Sequence, residues 1–179
     1  MSVLEVVEKF VSINGEGTKA GQLAVFIRFK GCNLNCKYCD TKWANEADAT
    51  AQQMTKEDIL EYVLSTGVKN VTLTGGEPLL RDGIEDVIEC LADNNLNVEI
   101  ETNGSIPLDN IRKLHKDNVT FTMDYKLSCS GMEQAMRLEN FSVLNKNDTV
   151  KFVAGCHEDL VRTKQIIEKY NLYGKCNLY

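Results

Sequence analysis

Three cysteines, Cys32, Cys36 and Cys39, are spaced C-x3-C-x2-C within the stretch Gly31 to Trp43, GCNLNCKYCDTKW. Three thiolates so close together on a short loop suit a metal. A structural zinc site normally closes with four protein ligands, and no fourth Cys or His is near this loop in the sequence, since His115 and His157 are remote. Cysteine thiolates also hold iron-sulfur clusters, and three of them on a 4Fe-4S cube leave one iron without a protein ligand. An open iron points to chemistry. The competing reading of the triplet is a non-catalytic binding module stabilised by zinc.

Other residues with chemical potential stand where the chain turns or a strand ends. Asn14-Gly15-Glu16-Gly17 separates two strand-like stretches, Val3 to Val11 and Leu23 to Phe29; its glycines free the backbone to turn while Glu16 presents a carboxylate. Arg28 lies in the otherwise apolar AVFIRF, and its planar fork suits bidentate capture of a carboxylate. Thr55 to Asp58 has the form of a capping box ahead of Ile59, Leu60, Val63 and Leu64, which fall on one helical face, and Gly67 can end that helix. Val71 to Thr74 reads as a buried strand feeding Gly75-Gly76-Glu77-Pro78, after which Asp82 opens a second helix. The alternation continues with strands at Asn97 to Thr102, Asn118 to Tyr125 and Thr149 to Ala154, and helices at about Asp109 to His115 and Glu158 to Tyr170. Cys176 to Tyr179 reads as the start of another strand. Such an order implies parallel strands with right-handed crossovers and ligands at the carboxyl ends of the strands.

The 179 residues are 43% hydrophobic and 26% charged, enough for one core, so a single α/β domain over residues 1–179 is expected. A formal charge of -6 with no run of Lys or Arg argues against a nucleic-acid surface and for a small substrate. No apolar run is long enough to span a membrane, and MSVLEVVEK lacks the order of a signal peptide, so a cytoplasmic protein is expected. Seven cysteines do not form a disulfide framework here, because the number is odd and Cys90, Cys129, Cys156 and Cys176 are scattered; those four read as small apolar residues.

C-x3-C-x-aromatic-C, with Tyr38 in the aromatic slot, resembles the signature of the radical S-adenosylmethionine (SAM) enzymes. Within them the chain resembles the 7-carboxy-7-deazaguanine synthases through SINGEG (Ser12 to Gly17), FIRFKGCNLNCKYCDT (Phe26 to Thr41), TGGEP (Thr74 to Pro78), ETNG (Glu101 to Gly104) and DYK (Asp124 to Lys126). The resemblance implies a partial TIM-type barrel of five to six βα units with an N-terminal strand or hairpin extension. It implies a 4Fe-4S cluster on Cys32, Cys36 and Cys39, cleaving SAM to a 5′-deoxyadenosyl radical. It places Tyr38 near the SAM adenine, and Thr74, Gly75, Gly76 and Glu77 on the methionine moiety, Glu77 chiefly fixing the loop. Glu101 and Asn103 are implied at the ribose, and Lys126 with Ser128 at the SAM carboxylate.

The implied substrate is 6-carboxy-5,6,7,8-tetrahydropterin, met by Asn14, Gly15, Glu16 and Gly17, with Arg28 on its carboxylate, Asp40 orienting the site and Thr41 on a bridging Mg2+. Asn14 stands where the family more often has Gln. The implied partners are a reductant such as flavodoxin or ferredoxin and a second copy of the chain. Family members usually continue past the last strand begun here into a segment that closes the substrate pocket, so this chain is expected to lack that segment. A glycyl-radical activase shares the triplet and a D-x-K-like element; the CDT and GEG motifs count against it.

Overall fold

The computed structural model describes residues 2–179. Its eight strands form one open sheet in the order β3-β1-β2-β4-β5-β6-β7-β8. β2 (Leu23–Phe29), β4 (Asn70–Gly75), β5 (Asn97–Thr102), β6 (Val119–Tyr125), β7 (Thr149–Phe152) and β8 (Asn177–Leu178) are parallel neighbours. β1 (Leu4–Ile13) runs antiparallel to β2 and to β3 (Gln52–Met54), making the expected N-terminal hairpin extension. β3 has no counterpart in the sequence reading: three residues, QQM, are too few and too polar to show an alternation, and pairing with β1 alone makes them a strand.

Helices α1 (Lys56–Ser65), α2 (Ile84–Asp93), α3 (Asp109–Arg112), α4 (Asn140–Val143) and α5 (His157–Lys169) fill the crossovers. The capping box before α1 is formed: the Asp58 N–H donates to Thr55 Oγ1 at 3.2 Å and the Thr55 N–H to Asp58 Oδ2 at 2.8 Å. α2 starts later than expected. Gly83, at φ 84°, makes the N-terminal turn and leaves Asp82 outside, because that left-handed conformation suits glycine. α3 stops at Arg112, three residues short of His115.

Successive residues of a strand face opposite sides of the sheet, and here the two sides differ in chemistry. One carries Val71, Leu73, Val98, Ile100, Phe121, Met123 and Val150, all buried in one core with Ile59, Val63, Val87, Ile88 and Leu91 of the helices. At about 1.5–3 kcal/mol for each fully buried aliphatic or aromatic side chain, this side supplies the main stabilisation. The other carries Thr72 and Thr74, Glu99 and Glu101, Thr122 and Asp124, Thr149 and Lys151. Several of these polar groups bond to one another: Glu99 accepts from Asn14 Nδ2 at 2.7 Å and from Thr122 Oγ1 at 2.6 Å, and Glu101 accepts from Thr74 Oγ1 at 2.6 Å. Among the described residues no helix is long and apolar enough to cross a membrane.

Candidate active site

The polar side opens, at the carboxyl ends of the parallel strands, into a cleft of about 410 Å³. Cys32, Cys36 and Cys39 line one wall of it. Their loop leaves β2 through Gly31, at φ 84°, and is bonded back along its length: the Gly31 N–H donates to Ala44 O at 3.2 Å and the Lys37 N–H to Ser130 O at 3.0 Å. Its root is locked by the glycine pair after β4. The Gly76 N–H donates to Phe29 O at 3.1 Å and the Glu77 N–H to Gly31 O at 2.9 Å. A Cβ on Gly75 would lie 2.3 Å from Phe29 O, and one on Gly76 2.1 Å from Gly31 O, so only glycine allows the two loops to close on each other. Both glycines also line the cleft.

The three thiols suit a cluster better than a single ion. They are free, and their sulfurs do not converge within 4.8 Å of one another as zinc ligands would. Burial pushes the Cys32 and Cys36 thiols up from the ordinary range, so they keep their protons until a cation displaces them. Asn103 Nδ2 reaches Cys32 Sγ at 3.5 Å and Asn33 Oδ1 at 3.0 Å, so this side chain serves the cluster loop as well as the cleft. A second sign of an intended ligand lies in the same walls. The buried oxygens Asn45 Oδ1 and Asp124 Oδ1 have no hydrogen-bond partner among the described residues. An unsatisfied buried acceptor costs about 1–3 kcal/mol, which a ligand bringing N–H or O–H groups would remove.

Tyr38, Asp40 and Thr41 face the cleft with the cysteines; the Tyr38 hydroxyl donates to Val153 O at 3.4 Å, and Thr41 Oγ1 is 3.7 Å from Cys39 Sγ. Thr74 and Glu101 line it side by side, and burial holds the Glu101 carboxyl above its usual range. Lys126 lines it too, donating to Asp124 Oδ2 at 2.8 Å. Burial works to lower the Lys126 pKa, but the Asp124 charge and hydrogen bond outweigh it, and the ammonium is stabilised. Glu16 and Arg28 complete the opposite wall; Arg28 gives its Nε–H to Glu8 at 2.9 Å, and its terminal nitrogens make no bond to a described residue.

Five of the expected contacts lie elsewhere. Glu77 is fully buried beneath the loop, accepting from the Asn103 N–H at 2.7 Å, the Leu79 N–H at 3.0 Å and Thr102 Oγ1 at 2.9 Å; it ties the loops after β4 and β5 together and does not reach the cleft. Burial pushes its carboxyl up to about 7. Ser128 gives its hydroxyl to Asp159 at 2.8 Å, away from the cleft. Asn14 is buried, donating to Glu99 and accepting from the Glu16 N–H at 3.1 Å, so it sets Glu16 in place. Gly15 and Gly17 are outside the cleft walls, where they only turn the chain.

Asn45, Thr122 and Lys151 also line the cleft and were not among the expected site residues; Lys151 is the charged one. Lys151, near the end of β7, donates to Glu16 Oε2 at 2.6 Å and lies 3.7 Å from Asp124 Oδ2. Burial acts to lower its pKa, and the Asp124 and Glu16 carboxylates more than compensate. Its only sequence signal was a charge at the end of a parallel strand, TVKF.

Comparison with known proteins agrees with this architecture. Residues 26–125 match the model of the Radical SAM superfamily. A 7-carboxy-7-deazaguanine synthase of Clostridium acetobutylicum is 58% identical over 176 residues, covering 98% of this chain and 79% of that protein. One from Methanospirillum hungatei is 34% identical, covering 93% of this chain and 68% of that protein. The crystal structure of QueE from Escherichia coli superposes with a TM-score of 0.70 at 24% identity, covering 93% of this chain and 78% of that one, a likeness of fold. With the cysteine triplet, the glycine lock and the polar cleft all in place, the chain belongs to the radical SAM superfamily and, within it, to the 7-carboxy-7-deazaguanine synthases.

Proposed function

We propose that this chain converts the small pterin 6-carboxy-5,6,7,8-tetrahydropterin to 7-carboxy-7-deazaguanine with loss of ammonia, using SAM and a one-electron donor of the flavodoxin or ferredoxin class. The observation that carries the reading is that one cleft gathers the three free thiols together with Thr41, Glu16 and Arg28, residues drawn from three different segments.

Cys32, Cys36 and Cys39 would hold the 4Fe-4S cluster. When bound, the cluster and SAM would supply one-electron radical chemistry able to abstract a hydrogen atom from the pterin. The residues of the chain place the reactants and exclude water. The edge formed by Gly75 and Gly76, free of side chains, admits the methionine moiety against backbone. Lys126 offers a positive charge to the SAM carboxylate, and the unpartnered Asp124 Oδ1 offers an acceptor for a ligand N–H. Glu101, held by Thr74, and Asn103 present a carboxyl and an amide to ribose hydroxyls, and Tyr38 a ring for the adenine.

On the other wall, the free fork of Arg28 takes the substrate carboxylate, and Glu16, held by Asn14 and Lys151, accepts from the pterin ring N–H groups. Thr41, with Asp40 beside it, would hold Mg2+, a cation that keeps several waters and accepts substrate oxygens.

Anaerobic incubation of the reconstituted protein with SAM, reductant, Mg2+ and the carboxy-tetrahydropterin, followed by mass analysis, should give 7-carboxy-7-deazaguanine, 5′-deoxyadenosine and methionine. SAM cleavage without the deazaguanine would overturn the substrate assignment and leave the cluster wall intact. Turnover only with a partner protein would turn the assignment toward an activase.

A further inference from the structure

Cys129 and Cys156 lie 27 residues apart in sequence, yet their sulfurs are 2.9 Å apart. We propose that these two cysteines form a reversible disulfide, a redox-modification site distinct from the cluster triplet. Neither lines the cleft, and both are half-buried and so open to a small reagent.

The backbone around them is already prepared for the bond. Cys129 sits in the short turn Ser128–Ser130 that follows β6, and Cys156 is the N-cap of α5. Asp159, whose side chain is buried in the first turn of that helix, clamps the two segments. Its Oδ1 accepts from Ser128 Oγ at 2.8 Å and from the Cys129 N–H at 3.3 Å, and its Oδ2 from the Gly155 N–H at 3.0 Å. Gly155 adds to the closeness, since a Cβ there would lie 3.0 Å from Cys129 Cβ.

The same three side chains offer two sulfurs and a carboxylate within 4.8 Å of one another, the outline of a metal site. The geometry favours the disulfide. Tetrahedral zinc with bonds of about 2.3 Å holds its sulfurs roughly 3.8 Å apart, well beyond the spacing here, and both Asp159 oxygens are already occupied by protein donors. A disulfide of about 2.05 Å needs the sulfurs to close by less than about 1 Å.

The oxidant is a low-molecular-weight disulfide. Cys129 donates its S–H to Cys156, which leaves the Cys156 sulfur as the attacking group. In thiolate form it attacks one sulfur of the reagent and expels a thiolate, which takes up a proton; a mixed disulfide results. Cys129, losing its proton, attacks the Cys156 sulfur and expels the second thiolate. Two electrons pass from the protein dithiol to the reagent, whose disulfide becomes two thiols.

The bond would join two segments that both touch the cluster loop. Ser130 O accepts the Lys37 N–H at 3.0 Å, and Val153 O accepts the Tyr38 hydroxyl at 3.4 Å. Oxidation therefore staples together the support behind the cluster wall.

The test is to equilibrate the cluster-loaded protein, under anaerobic conditions, with oxidised and reduced glutathione at graded ratios, then alkylate, digest and map by mass spectrometry. The expected result is a Cys129–Cys156 cross-linked peptide, reversed by dithiothreitol, with Cys90 and Cys176 alkylated. The oxidised protein should melt roughly 5 °C or more above the reduced form. That difference should vanish in Cys129→Ser and in Cys156→Ser. Absence of the cross-link at every ratio, or glutathione mixed disulfides alone, overturns the proposal, and this mapping in the unaltered protein needs neither variant to fold. Stoichiometric zinc retained by the unaltered protein and lost in Cys156→Ser overturns it in favour of a metal site.

Discussion

The two walls of the cleft are built by different means. The wall proposed to carry the cluster, the cluster wall, is a set of short motifs whose backbones hold one another: Gly76 to Phe29, Glu77 to Gly31, Lys37 to Ser130, with the buried Glu77 carboxylate joining the next loop. The wall proposed to meet the pterin, the substrate wall, is a set of single side chains brought in from far apart. Glu16 and Lys151 are separated by 135 residues and meet at 2.6 Å, and Arg28 answers Glu8 across the β1–β2 hairpin. A wall made of backbone contacts is rigid and tolerates no added atom. One made of opposed charges tolerates substitution structurally and loses recognition. The cluster wall should therefore fail by unfolding or losing iron, and the substrate wall by losing substrate affinity.

The largest effect should come from Gly76→Ala. The added Cβ would sit 2.1 Å from Gly31 O, so the cluster loop must move. A cost of about 4 kcal/mol is expected, placing it among the severe single substitutions. Denaturant unfolding measures the loss, and iron and sulfide analysis should show poor cluster retention. A fully loaded variant of normal stability would contradict the backbone-lock account.

Next in size is the pH dependence written into Glu77, whose carboxyl is raised from 4.5 to about 7 by burial. Below pH 4.5 it is protonated in both the folded and unfolded chains, and its burial costs least. Between 4.5 and about 7 the unfolded chain releases the proton while the folded one keeps it, so stability falls as pH rises; above that window the loss levels off. The total is about 3 kcal/mol, at 1.36 kcal/mol per pKa unit. The unfolding free energy of the protein, measured relative to Glu77→Gln from pH 5 to 8, should fall by that order. A constant difference would show that the carboxylate is buried in its charged form.

Lys151→Ala should be the mildest of the three for the fold and still cripple the substrate wall. Losing a charged hydrogen bond to Glu16 is worth about 1.5–3 kcal/mol, or roughly a 10- to 100-fold rise in KM for the pterin. Iron content and uncoupled SAM cleavage should stay near those of the unaltered protein. An equal loss of SAM cleavage would place Lys151 in the cluster wall and erase the distinction.

The contrast also explains what could be read without coordinates. The cysteine triplet, the Gly75-Gly76 pair and the Thr55 to Asp58 box each act within a few consecutive residues, so type and spacing carry their meaning, and the strands Leu23–Phe29 and Asn97–Thr102 declare themselves by their apolar alternation. The three-residue β3 was illegible because its partner, not its composition, makes it a strand. Glu77 was expected chiefly to fix its loop, and it does so from beneath, but its partners Thr102 and Asn103 belong to the next strand and loop and were visible only in the packing. Lys151 looked like one charge among many until β6 and β7 paired Asp124 with it in register.

The sequence by itself thus determined the three-cysteine loop, the α/β alternation and the family, because those depend on local spacing and periodicity. Only the tertiary structure decided which polar side chains meet: that Asn14 braces Glu16, that Ser128 turns to Asp159, that Lys151 reaches Glu16, and that Cys129 meets Cys156. Those are pairings between residues distant in the chain, fixed by strand register and loop packing, and no local pattern of residues encodes them.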